Sequence, residues 1–402
     1  MANQSFSNNE KTKILATVVY ANTPYLKKAK SYVPQNQMEG KKLGNKYKVY
    51  IPDPGKTRIV DAASGKAGLQ AQIDNINEIE YEVTLKAGLN DCEVSEWNKL
   101  GDIESWSKEV AQPRGKSVAR TIEKEAIDAT VYRASQVEVL SSADLDAIGD
   151  AAADLDKAGV VGQKVTFIEP KLGAKIAKKA LGLFNHPAVA EDLYKDKYLG
   201  RYAESDVVTE SYMPTIKGDG ATATISLTDV SSTDGSKVIG FAPITAITTN
   251  AKKGTPFKVD GLKLVDKNGV QVDADYTIVT TDNNGSIPEL RIEVEGEACN
   301  NANAWVPTGT SSLTLTNALT SGKTYAVVQT RFDEAVGFDT YDFSEIPGTK
   351  KTKESFDGSE IEVSVYEGGN LSDFTSMVRI VAPFAVGLPD PREAALSFVQ
   401  MD

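Results

Sequence analysis

The chain has 402 residues, of which 41% are hydrophobic and 25% are charged; this composition is typical of a folded protein of two or three domains and excludes global disorder. The net charge of −12 argues against a protein that wraps nucleic acid, because neutralising phosphates requires the opposite sign. The single histidine, His186, excludes a two-histidine metal site. Cys92 and Cys299 form neither a CxxC pair nor a disulfide framework, so we expect a reducing compartment.

The first 75 residues predict an arm followed by an extended basic hairpin. Residues 1–35 begin without an apolar core of signal-peptide length and then show a short helical spacing, so we expect an arm and neither secretion nor a membrane span. Residues 36–75 alternate polar and apolar positions around a Pro-Asp-Pro-Gly turn, which predicts a hairpin. Seven lysines or arginines and two acids lie between Lys41 and Lys66, a local charge of +5. Such a hairpin requires an acidic surface as its partner.

Residues 76–140 predict a long strand followed by a long helix. Alternation from Ile79 to Leu85 leaves one apolar face, which is typical of a half-buried strand. Residues 103–136 are helical in composition, and Pro113 marks a kink or a fresh start, because proline is tolerated in the first turn of a helix but not further inside. An apolar stripe from Arg114 to Gln136 predicts a helix of about 23 residues, roughly 35 Å long.

Residues 141–217 predict a mixed helical and β segment. A helix is bounded by Ser142 as its N-cap and Gly159 just beyond its end. A buried strand then leads to Pro170, and a short helix follows whose lysine-rich face we interpret as a solvated surface. The stretch 138–158 is strongly acidic, with six acids against one lysine, a local charge of −5. These acids are Glu138, Asp144, Asp146, Asp150, Asp154 and Asp156.

Residues 218–330 predict an inserted β-domain. The composition shifts to Thr, Val, Gly and Asp, and short alternating runs are separated by Asp-Gly and Asn-Gly pairs. Evenly spaced strands with such turns indicate a small antiparallel barrel or sandwich that forms an independent domain. Strand patterns resume in residues 331–402, so the β-domain interrupts a fold that continues after it.

Phosphate-binding and calcium-binding motifs are incomplete. Both GKS/T sequences lack the first glycine of a phosphate-binding loop, with Val110 and Asn317 at those positions. The run Asp282 to Glu293 has the acidic spacing of a calcium loop, but Ile287 replaces the glycine that the turn requires. A simple turn is therefore the favoured interpretation.

Catalytic motifs are equally weak. No G-x-S-x-G elbow accompanies His186, which we interpret as a loop or capping residue. Asp273 and Asp275 fall at strand spacing and are interpreted as solubilising. Ser105 and Lys108 match S-x-x-K without the partner motifs. They leave one alternative from another class, a serine hydrolase or peptidase with an accessory β-domain; a cell-surface adhesive β-protein is disfavoured by the missing signal sequence.

Four stretches, together with the order of the predicted elements, carry a family resemblance. The chain resembles major capsid proteins of tailed phages with the Hong Kong 97-type fold, and more narrowly the coat proteins of enterobacterial short-tailed podophages with a telokin-like insertion domain. One departure is the arm, which holds five lysines and one acid where that family tends to be acidic. The stretches are DAASGKAGLQAQI (61–73), AVAEDLYKDKYLGRYAESDVVTESYMPTIK (188–217), KKGTPFKVDGLKLV (252–265) and SFDGSEIEVSVYEGGNLSDFTSMVRIVAPFAVGLPDPREA (355–394).

The resemblance implies an α+β capsid fold with an N-arm (1–35), an extended loop (36–75), a peripheral domain with long strand and spine helix (76–140), an axial domain (141–217), an inserted antiparallel β-barrel (218–330) and returning strands (331–402). It implies pentamers and hexamers in an icosahedral shell, a scaffolding protein, a portal, and double-stranded DNA that is enclosed and not specifically bound. It implies no catalytic activity, cofactor or membrane, with assembly in the bacterial cytoplasm and a final location in the virion.

Charge complementarity suggests where one subunit contacts the next. We hypothesise that the basic hairpin lies on the acidic stretch of a neighbour, with apolar burial providing most of the strength. The predicted basic contacts are Lys46, Lys48, Lys56 and Arg58, and the predicted acidic acceptors are Asp144, Asp146, Asp150 and Asp154.

Overall fold

Helices and strands both contribute to the fold, which confirms the predicted α+β class. Several residues singled out by the sequence lie outside the described ranges: Lys56, Arg58, Ser105, His186 and Cys299. The computed structural model describes residues 8–31, 46–52, 78–95, 106–180, 200–218, 222–226, 230–233, 236–239, 252–288, 290–295, 302–343, 348–356, 359, 361–370 and 375–401.

The helices follow the predicted order. Short 3₁₀ turns occur at Leu26–Lys28 and Pro391–Glu393, and a π-helical turn at Ser107–Ala111 runs directly into the long helix. Pro113 lies in the first turn of that helix, directly after the π-helical turn, at the junction that the sequence marks as a kink or a fresh start. The helices are α1 (Asn8–Ala21), α2 (Gln112–Thr130), α3 (Asp146–Lys157) and α4 (Pro170–Ala180).

The strands form four sheets. They are β1 (Lys46–Pro52), β2 (Glu78–Ser95), β3 (Gln136–Leu140), β4 (Lys164–Ile168), β5 (Arg201–Tyr202), β6 (Ser205–Thr209), β7 (Thr215–Lys217), β8 (Thr222–Ser226), β9 (Val230–Thr233), β10 (Ser236–Ile239), β11 (Pro256–Val259), β12 (Lys263–Val265), β13 (Gln271–Asp275), β14 (Ile278–Val279), β15 (Leu290–Val294), β16 (Ala304–Val306), β17 (Ser312–Asn317), β18 (Thr324–Phe332), β19 (Gly337–Asp339), β20 (Lys350–Ser355), β21 (Glu362–Asn370), β22 (Thr375–Gly387) and β23 (Ala394–Gln400).

The chain divides into two compact units, each built from three separate segments of sequence. The first unit comprises Met1–Val49, Glu82–Thr130 and Val336–Pro389, and the second comprises Tyr50–Tyr81, Val131–Ala335 and Asp390–Asp402. Because each unit closes around segments that are distant in sequence, its core forms only when long-range contacts form.

The first unit is a sheet crossed by the long helix. The strand order of this sheet is β1-β2-β22-β21-β20, with β19 also pairing β22; residues 46–49 of β1 and 82–95 of β2 belong to the first unit. Helix α2 packs on β22, and α1 packs on α2. The apolar stripe of α2 is buried, with Val118 and Ile122 at most 2% exposed. Gly88 on β2 permits this close packing, since a Cβ there would lie 2.8 Å from Cγ2 of Ile122. The helix–sheet distance is therefore set by a residue with no side chain.

The long helix is shorter than predicted. It ends at Thr130, and Gln136 begins β3, which pairs in parallel with β23. The prediction of a helix to Gln136 was wrong because Val137 and Val139 suit a strand and gain a partner from the C-terminal end of the chain. The long β2 strand is confirmed, whereas the predicted hairpin partner of β1, through Ile59 and Val60, lies outside the described residues.

The second unit contains a sheet of order β3-β23-β18-β4-β6-β5, with β7 also pairing β18. Helices α3 and α4 cover it through one apolar cluster that includes Ile148, Leu172 and Ile176, each fully buried. β3 belongs to this sheet, although the predicted 76–140 segment groups it with β2. The predicted buried strand before Pro170 is confirmed as β4.

The inserted segment forms two further sheets, of orders β13-β12-β16-β15-β10-β9 and β14-β11-β17-β8. Most pairs are antiparallel, but β15 and β16 are parallel. One apolar core unites both sheets and also contains Leu155 of α3 and Ala158, which directly follows that helix. The insertion therefore shares its core with the surrounding fold, which contradicts the prediction of an independent domain. It also ends before Thr324, because β18 pairs with β23 and β4 and not with the inserted sheets.

Candidate functional site

Helix α3 carries the acidic residues that the sequence singled out, and its two ends are built differently. Gly159, at φ +76°, ends the helix as predicted: its N–H donates to the carbonyl of Asp156 (3.0 Å) and that of Val160 to Leu155 (3.0 Å). The predicted N-cap was wrong. The helix begins at Asp146 after Leu145, which provides no side-chain cap, and the Ser142 hydroxyl donates to the Asp144 carboxylate instead.

The four predicted acidic acceptors of α3 and its approach do not share one environment. Asp144 accepts from Nζ of Lys179 at 3.2 Å, and its pKa is lowered mainly by the Ser142 hydrogen bond. Asp146 is exposed in the first helical turn. Asp150 and Asp154, one turn apart, lie beside Glu138 of β3. Only the last two therefore contribute to a common acidic cluster with Glu138.

Glu138 and Asp154 of this cluster line a cleft of about 530 Å³ within the second unit, which we call the β3–β13 cleft. Its lining comes from β3, from α3 and from the segment that holds β11 to β13. Its charged residues are acidic in excess, a distribution that favours cationic groups. The lining residues are Gln136, Val137, Glu138, Val139, Asp154, Lys157, Lys258, Val259, Asp260, Gly261, Lys263, Asp273, Ala274, Asp275 and Thr277.

The carboxylates in the cleft repel one another. Burial, followed by the charges of Asp154 and Asp150, raises the pKa of Glu138 to about 7. Burial also raises the pKa of Asp154, against the opposing charge of Lys157, whose Nζ lies 3.4 Å from it. The local lysine is therefore insufficient to balance these acids.

The other lining groups leave a further hydrogen-bond acceptor without a donor. Nζ of Lys263 lies 2.8 Å from Asp275 and 3.5 Å from Asp273, so this lysine is already engaged. Gln136 is 3% exposed, and its Oε1 is buried without a hydrogen-bond partner. A buried acceptor without a donor is costly, so a cation or N–H donor entering the cleft would satisfy it.

Sequence reasoning found Asp150 and Asp154 but missed most of the cleft. Gln136 carried no signal, because it was assigned to a helix end. Asp273 and Asp275 were interpreted as solubilising, and their pairing with Lys263 agrees with an exposed strand. Their position in the cleft depends on long-range packing between the insertion and β3, which no local pattern encodes.

The predicted basic contacts are partly described. Nζ of Lys46 lies 2.5 Å from Glu82 of the same chain, both side chains being half-exposed. Lys48 is exposed between buried Tyr47 and Val49, as strand alternation requires. Lys56 and Arg58 lie outside the described residues.

Where the structure describes them, the weaker motifs show no catalytic geometry. Asp282 accepts from the N–H groups of Asn284 (2.8 Å) and Ser286 (3.0 Å), which is a simple turn, as favoured from sequence. Lys108 lies in the π-helical turn before α2, and its predicted partner Ser105 lies outside the described residues. Among the described residues, no group of three or more His, Cys, Asp or Glu side chains could hold a metal ion.

Within the same ranges, no helix is long and apolar enough to cross a membrane.

Comparison with known proteins gives matches among solved structures alone: no protein-family model and no curated protein matches the sequence. The mature capsid of bacteriophage PhiM1 matches at 10% identity and a TM-score of 0.44, over 92% of this chain and 85% of that one. The capsid of Cyanophage P-SCSP1u matches at 10% identity and 0.43, over 89% and 84%. The capsid of Staphylococcus phage Andhra matches at 11% identity and 0.42, over 94% and 84%. Along most of its length, the chain is thus similar to phage capsid structures.

Proposed function

We propose that this chain is a major capsid protein that assembles into the icosahedral head of a tailed phage, around double-stranded DNA. The observation that carries the proposal is the agreement between the element order that the family resemblance implies and the elements present: an arm helix, a long strand, a helix crossing the sheet, and an insertion within the second unit. In this proposal the first unit is the peripheral domain, and the second holds the axial domain with its insertion.

The net charge supports the role of a shell that encloses DNA without binding it tightly. A net charge of −12 disfavours tight binding of the wall to DNA, and such binding would hinder packaging and release. The proposal therefore has the DNA enclosed and not specifically bound. It includes pentamers and hexamers, a scaffolding protein, a portal at one vertex, and assembly in the bacterial cytoplasm before the protein functions in the virion.

Contacts between subunits would use the segregated charges. The segment from Lys41 to Lys66 carries +5, and we place Lys48, Lys56 and Arg58 on the acidic surface of a neighbouring subunit, because Lys46 is paired with Glu82 of its own chain. Of the acidic acceptors, Asp150 and Asp154 suit this role, because they form an acidic cluster with Glu138 that Lys157 alone does not balance, whereas Asp144 is paired with Lys179. Electrostatic complementarity would guide placement while apolar burial supplies strength.

Electron microscopy of the full chain tests the proposal. The protein would be expressed alone and together with a scaffolding protein, then examined by negative stain and velocity sedimentation. We expect uniform shells with scaffold, and irregular or tubular assemblies without it. A protein that stays monomeric under all these conditions would overturn the proposal, and loss of a hydrolytic activity on Ser105→Ala would favour the alternative.

A further inference from the structure

We propose that the β3–β13 cleft is the receptor for Lys56 and Arg58 of a second copy of this chain. This inference rests on the proposed function, since it specifies where one subunit receives its neighbour. It moves the acceptor from the surface of α3 to an enclosed site that includes residues of the insertion.

The cleft is bounded by two strands with open edges. Within the described residues, β3 is the outermost strand of its sheet, and β13 is the outermost strand of the six-stranded sheet. Consecutive residues of each strand, 136–139 and 273–275, line the cleft. Side chains alternate along a strand, so a run of consecutive lining residues means that the backbone edge itself faces the cleft. Unpaired backbone edges of this kind accept an extended segment from another chain.

The lining of the cleft favours hydrogen-bond donors that carry a positive charge. Glu138 and Asp154 are partly or wholly buried beside each other, and their mutual repulsion is relieved by a positive charge. Independently, Oε1 of Gln136 is buried and unpaired in a side chain that is 3% exposed. An acetate, a phosphate or an apolar side chain would satisfy neither feature. A guanidinium or ammonium group, which only donates hydrogen bonds, satisfies both.

The chain itself contains a suitable occupant. Lys56 and Arg58 lie two residues apart in its most basic segment, and in an extended strand residues two apart point to the same face. Lys46 from the same segment is already paired with Glu82 of its own chain, so the proposal assigns the contact to Lys56 and Arg58. A cleft of about 530 Å³ is in the size range of sites that enclose several side-chain groups.

Binding in this cleft would release protons. Glu138 titrates near neutral pH, and a bound cation favours its charged form, so occupation becomes tighter as pH rises from 6 to 8. The charged groups that act on Glu138 directly are Asp150, Asp154 and Lys157 of α3. The other charged groups that line the cleft are Lys258, Asp260, Lys263, Asp273 and Asp275.

A peptide-binding experiment tests the site without requiring shells. A fluorescent peptide of residues 53–66, DPGKTRIVDAASGK, is titrated with the unassembled full chain by fluorescence anisotropy at pH 6 and pH 8. We expect tighter binding at pH 8. The double variant Glu138→Gln with Asp154→Asn should weaken binding at pH 8 at least tenfold. The matched double variant Asp144→Asn with Asp146→Asn removes the same charge outside the cleft lining and should change binding less than twofold.

Two outcomes would overturn the inference. Equal weakening by both double variants would mean that the peptide senses only overall charge. Equal binding of a peptide in which Lys56 and Arg58 are replaced by glutamine would mean that these two residues are not the ligands. Either result leaves the capsid proposal intact if shells form.

Cross-linking within shells gives a second readout. Subunits labelled with ¹⁴N and ¹⁵N are co-assembled and treated with a carbodiimide, which joins lysine amines to nearby carboxylates. We expect mixed-label cross-links from Lys56 to Glu138, Asp154, Asp260, Asp273 or Asp275. Mixed-label cross-links from Lys56 to carboxylates elsewhere would refute the cleft assignment. Failure of every preparation to form shells would instead count against the proposed function, with the peptide measurement still deciding the cleft.

Discussion

Arg392 binds the backbone of Asp266, with Nη1 2.8 Å from the carbonyl oxygen, and so ties the C-terminal return of the chain to the insertion. The same guanidinium is held by Asp390, with Nη2 2.9 Å from Oδ2 and Nε 3.0 Å from Oδ1. Beside it, Lys267 of the insertion pairs with Glu393. Residues 126 positions apart in sequence thereby form a buried polar junction. We therefore expect the stability of the insertion to depend on these contacts.

Removing Arg392 should destabilise the second unit strongly. Burial alone would raise the pKa of Asp390, but the charge and hydrogen bonds of Arg392 outweigh it and keep the carboxyl ionised. Arg392→Met leaves this buried charge unpaired, and we expect a loss of about 3–5 kcal/mol in the free energy of unfolding, measured with urea. The double variant Asp390→Asn with Arg392→Met should recover part of the loss. A single variant as stable as the parent would show that the junction contributes nothing.

Glu138→Gln should stabilise the protein in a pH-dependent way. The pKa of Glu138 is raised from 4.5 to about 7 in the folded state, so the folded form holds its proton longer and stability falls as pH rises between these values. Glutamine does not titrate, so the variant lacks this loss of stability with rising pH. The variant should match the parent below pH 4.5 and exceed it by roughly 1 kcal/mol above pH 7, after allowance for solvent screening. Chemical denaturation at pH 4, 6 and 8 measures the difference; a constant gap at all three values would contradict the assignment.

Gly254→Ala should destabilise the packing of the insertion against Ile216 and Tyr132. Gly254 has φ +87°, and a Cβ there would lie 2.4 Å from Cδ1 of Ile216 and from Cε1 of Tyr132. We expect a destabilisation of about 2–4 kcal/mol from backbone strain and overpacking together. Gly309→Ala is the control, because Gly309 has φ +85° with nothing within 4 Å of a Cβ. It should cost only about 1 kcal/mol, and equal losses for both variants in thermal denaturation would exclude the steric contribution.

Leu155→Ala should weaken the insertion together with helix α3. Leu155 is fully buried in the core that joins α3 to both inserted sheets, and truncation there costs about 2–5 kcal/mol. Because the core is shared, the inserted strands and α3 should lose hydrogen-exchange protection together. Protection lost in α3 alone, with the insertion unchanged, would restore the view of an independent domain. Leu262→Ala, within the insertion and equally buried, is the comparison. It should lower hydrogen-exchange protection in the inserted strands and in α3 alike.

Local patterns were sufficient for most individual elements. Proline and glycine positions fixed the start of α2 near Pro113 and the end of α3 at Gly159, because these residues restrict or permit particular backbone angles wherever they occur. Alternation fixed the long strand β2. The same reasoning failed at Gln136, where a helical stripe continued into residues that pair with β23, and at Ser142, where a polar side chain binds Asp144 and leaves the helix uncapped.

By itself, the sequence determined the α+β class, the order of elements, and the separation of charge between the segment 41–66 and the acidic stretch 138–158. Only the tertiary structure decided which acids act together. Asp144 pairs with Lys179, whereas Glu138, Asp154, Asp273 and Asp275 line one cleft. Periodicity reports the face on which a residue lies within its own element. Which faces meet depends on contacts between distant segments, and a local pattern does not contain them.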